Sequence, residues 1–281
     1  MRNVGEFVTG DGVTLRYYEY PVDNPESILL HIHGIAGTVP DELDGFAEKL
    51  GNEGIKVYRL VSRGYPPSDG KTGDIDSFEK FIEDIIEFYK FLKKEHSDLP
   101  VFVMGHSLGG TLVIHSAYRD LKDVNGVILQ APGYKTGQRF KLPLKTVLKV
   151  VFGGIFTPSR VMIDTLTPPE RIPHPKDREE LEIKIGDPHY VHVYSPRFLL
   201  QARKYTKMVG ELAEKCSQPM LMIYGDEDGV VEPSGSQEIF ERWGGEDKEV
   251  YVVKGGGHGV HVAYESIDKI ISWIKSHYKQ K

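Results

Sequence analysis

The sequence predicts an α/β fold with a mostly parallel sheet covered by helices. Short apolar runs, which predict strands, alternate along the chain with loops and longer amphipathic segments, which predict helices. Apolar strands separated by helices are typical of parallel sheets that are buried on both faces. The composition, with 40% hydrophobic and 27% charged residues, is that of a globular protein with a sizeable core.

Eight strands follow from the pattern. The first two flank Gly10-Asp11-Gly12, a turn sequence in which glycine tolerates positive φ. The others are predicted at residues 27–31, 55–61, 100–104, 124–129, 220–224 and 250–253. Apolar residues recur at helical spacing over residues 78–92, and Asp76 with Glu79 predicts a capping box at the start of that helix.

One segment interrupts the alternation. About 90 residues separate the strand ending at Leu129 from the one beginning near Met220, far more than one crossover helix needs. Within it, apolar residues from Leu144 to Phe152 predict a helix, and Ser195-Pro196 predicts the start of another. We therefore expect a single domain, residues 1–281, with a core of residues 1–132 and 213–281 and a cap segment at about residues 133–212.

The strongest local motif is Gly105-His106-Ser107-Leu108-Gly109, which follows a predicted strand and precedes a helical run. Strand, tight turn and helix in this order are the context of a nucleophile elbow, whose flanks only glycine fits. The elbow raises the serine oxygen above the sheet and points the N–H of Leu108 at the oxyanion that develops during attack. Ser107 is therefore the predicted nucleophile.

A serine hydroxyl needs a base to remove its proton, and two histidines follow the last predicted strand. His258 lies in Gly255-Gly256-Gly257-His258-Gly259, whose glycines would let the loop bend back over the elbow. His261 lies three residues later, where we expect the final helix to begin. We prefer His258 as the base and keep His261 as the competitor.

The base in turn needs a carboxylate that holds its tautomer and stabilises the imidazolium ion. Three carboxylates follow the strand at 220–224, and the order serine, acid, histidine is the one expected with such an elbow. We choose Asp228, because it lies furthest into the loop and immediately precedes a glycine. Asp226 is the alternative, whereas Glu227 is expected to face water.

A second N–H for the oxyanion is expected in the loop His33-Gly34-Ile35-Ala36-Gly37, and we assign it to Ile35. His33 is expected to support this loop through hydrogen bonds. A metal site on His31 and His33 is disfavoured, since no further ligands with suitable spacing accompany them. We therefore expect neither a metal ion nor an organic cofactor.

Together these motifs resemble the α/β-hydrolase superfamily, and within it the monoacylglycerol lipase and lysophospholipase group of capped serine hydrolases. The resemblance covers nearly the whole chain and is carried by His33-Gly34, Arg63-Gly64, Ser68-Asp69-Gly70, Gly105-His106-Ser107-Leu108-Gly109-Gly110, Gly225 with Asp228, Gly257-His258, Asp187-Pro188 and Ser195-Pro196-Arg197. It implies an α/β-hydrolase fold and a triad of Ser107, Asp228 and His258. It also implies oxyanion N–H groups from Ile35 and Leu108.

The chain departs from this group after the fourth strand, where Tyr65-Pro66 replaces a frequent His-Gly. The replacement leaves the triad intact and changes the contacts of the loop. In the cap segment, we expect Tyr134, Phe152 and Tyr194 to line an acyl pocket, with ordinary packing as the alternative.

Charge and cysteine content restrict the partners. The formal net charge of −6 gives no global reason to bind nucleic acid, and we expect none to bind. The single Cys216 requires no oxidising compartment, and no apolar stretch has the length of an export signal or a membrane span. We expect a cytoplasmic protein.

The first part of the cap segment is basic. Between Ala131 and Ile163 there is no Asp or Glu, and the six positive residues are Lys135, Arg139, Lys141, Lys145, Lys149 and Arg160. Two interpretations stay open. The helix here rests transiently on a lipid surface, which would make the protein peripheral to membranes; alternatively, its apolar stripe packs over the catalytic pocket and its lysines are simply solvated.

The sequence thus predicts a serine hydrolase of carboxylic esters that acts through an acyl-enzyme, with monoacylglycerols or related single-chain lipid esters as preferred substrates. A serine peptidase and a C–C bond hydrolase are alternatives on the same fold. Pocket polarity would separate a peptidase, because a free amino terminus calls for carboxylates near the site. A non-catalytic receptor that binds a small ligand in the same pocket is the alternative from another class.

Overall fold

The computed structural model describes residues 2–137, 143–172 and 174–278. The strands in these ranges are Asn3–Val8 (β1), Thr14–Glu19 (β2), Ser27–Ile32 (β3), Ile55–Val61 (β4), Val101–His106 (β5), Gly126–Gln130 (β6), Ile163–Asp164 (β7), Val193–Tyr194 (β8), Met220–Gly225 (β9) and Lys248–Val253 (β10). The α-helices are Asp44–Asn52 (α1), Glu79–Glu95 (α2), Leu108–Arg119 (α3), Leu144–Phe156 (α4), Pro175–Lys184 (α5), Pro196–Ala213 (α6), Pro233–Arg242 (α7), His261–Glu265 (α8) and Ile267–Ser276 (α9). Short 3₁₀ turns lie at Pro40–Leu43 and Pro169–Arg171.

Eight strands form one sheet in the order β1-β2-β4-β3-β5-β6-β9-β10. β2 pairs antiparallel with β1 and with β4, and the remaining neighbours pair parallel. β3, β6 and β9 are buried along their whole length, as expected for strands in the middle of a sheet flanked by helices. The predicted fold class, an α/β fold with an eight-stranded, mostly parallel sheet, is confirmed.

The parallel strands position the site. β3, β5, β9 and β10 run in the same direction, so the loops that follow them leave the same edge of the sheet. These four loops carry, in chain order, Ile35, Ser107, Asp228 and His258. Residues from distant parts of the chain therefore meet because of the sheet order.

The chain between β6 and β9 carries α4, α5, α6 and the antiparallel pair β7 and β8. We propose that this chain is the predicted cap segment, residues 133–212, inserted into a single domain. A buried carboxylate, Asp74, ties it to the core. Ser195 Oγ donates to Asp74 Oδ1 at 2.5 Å, and two guanidinium nitrogens of Arg197 donate to its two oxygens at 2.7 and 2.6 Å.

The two predicted helix starts have different outcomes. Ser195 is the N-cap of α6, and its hydroxyl accepts from the N–H of Phe198 at 3.2 Å, which confirms the prediction. The capping box at Asp76 is wrong, because the N–H of Glu79, which Asp76 would cap, donates instead to Ser77 Oγ at 3.2 Å. The N–H of Phe78, one residue earlier, donates to Gln201 of α6 at 2.7 Å.

None of the helices in the described ranges is both long and apolar enough to cross a membrane.

We expect Asp74→Ala to lower the free energy of unfolding by about 2–3 kcal/mol, because Ser195 and Arg197 lose a buried, charged acceptor. Urea unfolding measures this. Asp76→Ala is the matched control, because Asp76 also pairs with Arg197 but lies largely in solvent, and it should change stability little. Equal losses in the two variants would contradict a structural role specific to Asp74.

Candidate active site

Ser107 lies in the tight turn between β5 and α3, where its backbone adopts φ 53° and ψ −120°. This left-handed conformation is unfavourable for a residue with a side chain and is kept only where the surroundings enforce it. A Cβ on Gly105 would lie 2.5 Å from the carbonyl oxygen of Gly109, and a Cβ on Gly109 would lie 2.4 Å from that of Ile32. The motif therefore forms the strand–turn–helix geometry that it predicts.

Ser107 lines a cavity of about 760 Å³ together with Ile35, Leu108 and His258. The structure thus brings four predicted site residues to one space, of a size that suits a small-molecule ligand. The cavity wall is largely aliphatic, with contributions from Leu43, Val150, Leu181, Leu199, Leu200 and Val231.

Asp228 is buried behind the imidazole ring of His258. His258 Nδ1 donates to Asp228 Oδ2 at 2.7 Å, while the N–H groups of Val230 and Val231 donate to Asp228 Oδ1 at 2.8 and 2.9 Å. The two backbone donors fix the carboxylate, and the carboxylate fixes the tautomer with the proton on Nδ1. Nε2 of His258 is then left as the proton acceptor that general-base catalysis requires.

The competing residues have other partners. Asp226 is exposed and accepts from the N–H of Gly255 at 2.7 Å and from Lys254 Nζ at 3.2 Å. His261 is the first residue of α8, a short helix before the final one; its Nδ1 donates to Glu180 at 2.8 Å, and its Nε2 accepts from the N–H of Gly257 at 3.1 Å. The geometry therefore favours Asp228 and His258 over them.

Electrostatics distinguish His258 from the histidines around it. Burial lowers its pKa, but the Asp228 carboxylate, followed by those of Asp177 and Glu180, raises it, and the pKa is raised overall. Burial and the nearby His258 lower the pKa of His106 to about 3, and burial lowers that of His33 to about 4. These two are neutral structural groups, and His106 Nε2 donates to the carbonyl of His258 at 2.8 Å.

His33 supports the loop of residues 33–37, which we call the oxyanion loop, through hydrogen bonds, as the sequence predicts. Its Nε2 accepts from the N–H of Ser62 at 3.1 Å, and its Nδ1 donates to the carbonyl of Gly34 at 2.7 Å. That carbonyl and the N–H of Ile35 belong to one planar peptide unit, so the bond also fixes the direction of the N–H assigned to the oxyanion. Tyr65, which stands where the resembled group frequently has His, donates its hydroxyl to the carbonyl of Ile35 at 2.7 Å.

The three residues predicted to line an acyl pocket have different environments. Tyr134 lines the cavity, and its hydroxyl donates to Glu238 at 2.9 Å. Tyr194 is buried beneath the oxyanion loop, with its hydroxyl 2.6 Å from the carbonyl of Ile35, and is not among the described lining residues. Phe152 is also outside that lining, because α4 turns the face at residues 147, 150 and 151 to the cavity and exposes Phe152.

His174, Asp177 and His261 are the described residues that could be considered metal ligands, with candidate atoms within 4.8 Å of one another. Both nitrogens of His174 already have partners, since Nε2 donates to the carbonyl of Gly255 at 2.9 Å and Nδ1 accepts from the N–H of Asp177 at 3.4 Å. Those of His261 are also bonded, as described above. A metal ion would have to displace these bonds, so the geometry favours a hydrogen-bonded cluster.

Sequence analysis missed Asp177 and Glu180 of α5, which contact the loop that carries His258. The sequence did contain a hint of this contact in Gly257 and Gly259. That these glycines leave room for the side chains of α5 becomes clear only from the structure.

The sheet, the serine elbow and the shared cavity define an α/β hydrolase. Within that class the chain belongs to the Hydrolase_4 family, whose model, described as serine aminopeptidase, S33, matches residues 23–265. The predicted superfamily and the predicted enzyme class, a hydrolase, are confirmed.

Similar proteins have been named in several organisms. The chain is 26% identical over 281 residues to the monoacylglycerol lipase of Mycolicibacterium smegmatis, with 98% of both chains covered. It is 23% identical to the monoglyceride lipase of Homo sapiens, covering 92% of this chain and 84% of that one. The crystal structure of Paleococcus ferrophilus monoacylglycerol lipase matches with a TM-score of 0.78 at 25% identity, covering 94% of this chain and 99% of that one.

In the Asp228→Asn variant, we expect the pKa of His258 to fall, since burial is then opposed only by the more weakly acting Asp177 and Glu180. NMR titration of the ring protons measures this. Asp226→Asn is the matched control and should leave the pKa unchanged, because Asp226 faces Lys254 and solvent. An unchanged pKa of His258 in the Asp228→Asn variant would refute the electrostatic role assigned to Asp228.

Proposed function

We propose that this protein is a serine hydrolase of carboxylic esters, with monoacylglycerols or related single-chain lipid esters as preferred substrates. The observation that carries the proposal is that His258, hydrogen-bonded to Asp228, lines the same aliphatic cavity as Ser107. The names of the relatives from Mycolicibacterium smegmatis and Paleococcus ferrophilus support the substrate class.

The proposed reaction has two halves. Ser107 Oγ attacks the ester carbonyl while His258 Nε2 takes the hydroxyl proton, and the N–H groups of Ile35 and Leu108 stabilise the oxyanion. The imidazolium ion, held by Asp228, then gives the proton to the leaving alcohol and an acyl-enzyme forms. Water attacks the acyl-enzyme with His258 again as base, which releases the fatty acid and restores Ser107.

One proton-transfer contact of this mechanism is not made in the described conformation. Among the hydrogen bonds of the described residues, none joins Ser107 Oγ to the His258 ring. Catalytic hydrogen bonds are often long without substrate and tighten in the complex, so the first step includes closing this contact.

The carboxylates of the cavity argue against the peptidase alternative. The described lining contains three of them, Glu42, Asp177 and Glu180. Glu42 pairs with Lys184 at 2.8 Å and with Arg59 at 3.3 Å, and the other two accept hydrogen bonds from backbone N–H groups. A substrate amino terminus would have to compete for acids that already have partners within the protein, whereas an acyl chain needs only the aliphatic wall.

We also propose that α4 contacts a lipid surface. It exposes a run of apolar side chains, including Phe152 and Phe156 with 56% and 76% of their surface accessible, next to exposed Lys145 and Lys149. A contiguous apolar patch with lysines at its border suits the interface of an anionic membrane. This supports the lipid-surface interpretation over solvated packing; Arg139 and Lys141 lie outside the described residues.

Hydrolysis of a chain-length series of monoacylglycerols and p-nitrophenyl esters tests the proposed activity. We expect turnover by the native protein and a loss of at least about 10³-fold in Ser107→Ala, because the nucleophile is removed. Ser116→Ala is the matched control, a buried serine on α3 whose hydroxyl bonds only within its helix. Fluorophosphonate labelling of Ser107 without turnover of any ester would refute the substrate class, and no labelling would favour the receptor alternative.

Co-sedimentation with vesicles tests the membrane contact. We expect tighter binding to anionic than to neutral vesicles, weakening with salt, and a loss of about tenfold in the double variant Ile155→Ser/Phe156→Ser. Val8→Ser makes a similar change at an exposed apolar residue of β1 and should have no effect. Hydrolysis of a soluble short-chain ester should be unchanged, and equal binding by all variants would contradict the proposal.

A further inference from the structure

Two carboxylates of α5 bind the backbone of the chain that carries the predicted base. The oxygens of Asp177 accept from the N–H of His258 at 2.9 and 3.0 Å and from that of Gly259 at 2.8 Å. Those of Glu180 accept from the N–H groups of Val260 and His261, both at 2.8 Å. The N–H groups of four consecutive residues thus donate to two side chains that lie one helical turn apart. We call the carboxylates of Asp177 and Glu180 the α5 clamp.

The glycines on either side of His258 fit this clamp. A Cβ on Gly257 would lie 2.5 Å from Asp177 Oδ2, and a Cβ on Gly259 would lie 2.1 Å from Glu180 Oε2. Neither distance leaves room for a side chain, so any other residue would push the carboxylates away. The two glycines are therefore needed for close approach of the cap segment, in addition to any bending of the loop.

Glu180 keeps its negative charge. Burial raises the pKa of Glu180, but its bonds to His261, the nearby Lys184 and the backbone donors lower the pKa overall, to about 2. Lys184 Nζ lies 3.8 Å from Glu180 and 2.8 Å from Glu42, which ties the clamp to the core. Glu180 is therefore ionised at neutral pH.

We propose that Asp177 and Glu180 are positioning residues for the base: they hold the backbone of residues 258–261 from the cap segment. This rests on the proposed function, because it concerns the same base. Through these hydrogen bonds the cap segment helps to position the base, in addition to forming part of the pocket wall.

The charged and titratable groups around the His258 ring come from three elements. Asp228 faces it from the loop after β9, and His106 faces it from β5 at 4.9 Å between ring centroids but is neutral. From α5, Asp177 and Glu180 follow Asp228 in raising the pKa of His258. The positive Lys184 lies behind Glu180 and partly offsets its charge.

The variants Asp177→Asn and Glu180→Gln test the clamp, because each keeps the shape of the side chain and removes its charge. We expect the acid limb of kcat/KM for a soluble ester to move to lower pH, since the imidazole loses a negative neighbour. We also expect kcat to fall by about 10- to 100-fold with KM nearly unchanged, because the base loses its alignment. Glu182→Gln, an exposed residue of the same helix, is the matched control and should change neither.

The pKa of His258 measured by NMR gives a second readout that needs no substrate. It should fall in both clamp variants and stay constant in Glu182→Gln, and if one clamp variant fails to fold, the other carries the test. An unchanged pKa and acid limb in the folded variants would overturn the clamp. A native protein that neither hydrolyses esters nor is labelled at Ser107 would overturn the proposed function instead, whatever the pKa values are.

Discussion

The hydrogen bond between His258 and Asp228 is the interaction on which the rest of the site depends. It lies in a buried environment that by itself would make the imidazole a weaker base, so the carboxylate must be held where its charge acts fully. Two backbone N–H groups hold the carboxylate, His106 holds the carbonyl of His258, and the α5 clamp holds the N–H side of the same loop. The elements around the pair thus hold the side chains of His258 and Asp228 at hydrogen-bonding distance.

Much of this arrangement could be predicted from the sequence because its signals are local. Strands follow from apolar runs, and the elbow follows from glycines that no other residue can replace next to Ser107. The environments of Phe152 and Tyr194 could not be predicted, because the rotation of a helix and the layer in which a ring packs depend on neighbours distant in sequence. The capping box at Asp76 failed because the adjacent Ser77 accepts from the N–H of Glu79, while Gln201 of another helix accepts from that of Phe78.

The cap segment is held at some points and exposed at others. Asp74 binds the start of α6, and the clamp binds α5 to the loop after β10, each through several charge-assisted hydrogen bonds. α4 instead exposes apolar side chains, so its outer face lacks comparable packing. A movement of the cap segment should therefore cost less at α4 than at α5, whose displacement would also disturb the proposed base.

The contact between Glu180 and Gly259 has a consequence for how such a protein can evolve. A Cβ at position 259 would lie 2.1 Å from Glu180 Oε2, so a side chain there would displace the carboxylate and break the contact. In a lineage that abandons the clamp, position 259 is released from this steric restriction and can accept larger residues. The pair of residues at positions 180 and 259 would then indicate whether a homologue holds the loop after β10 through its cap segment or through the core alone.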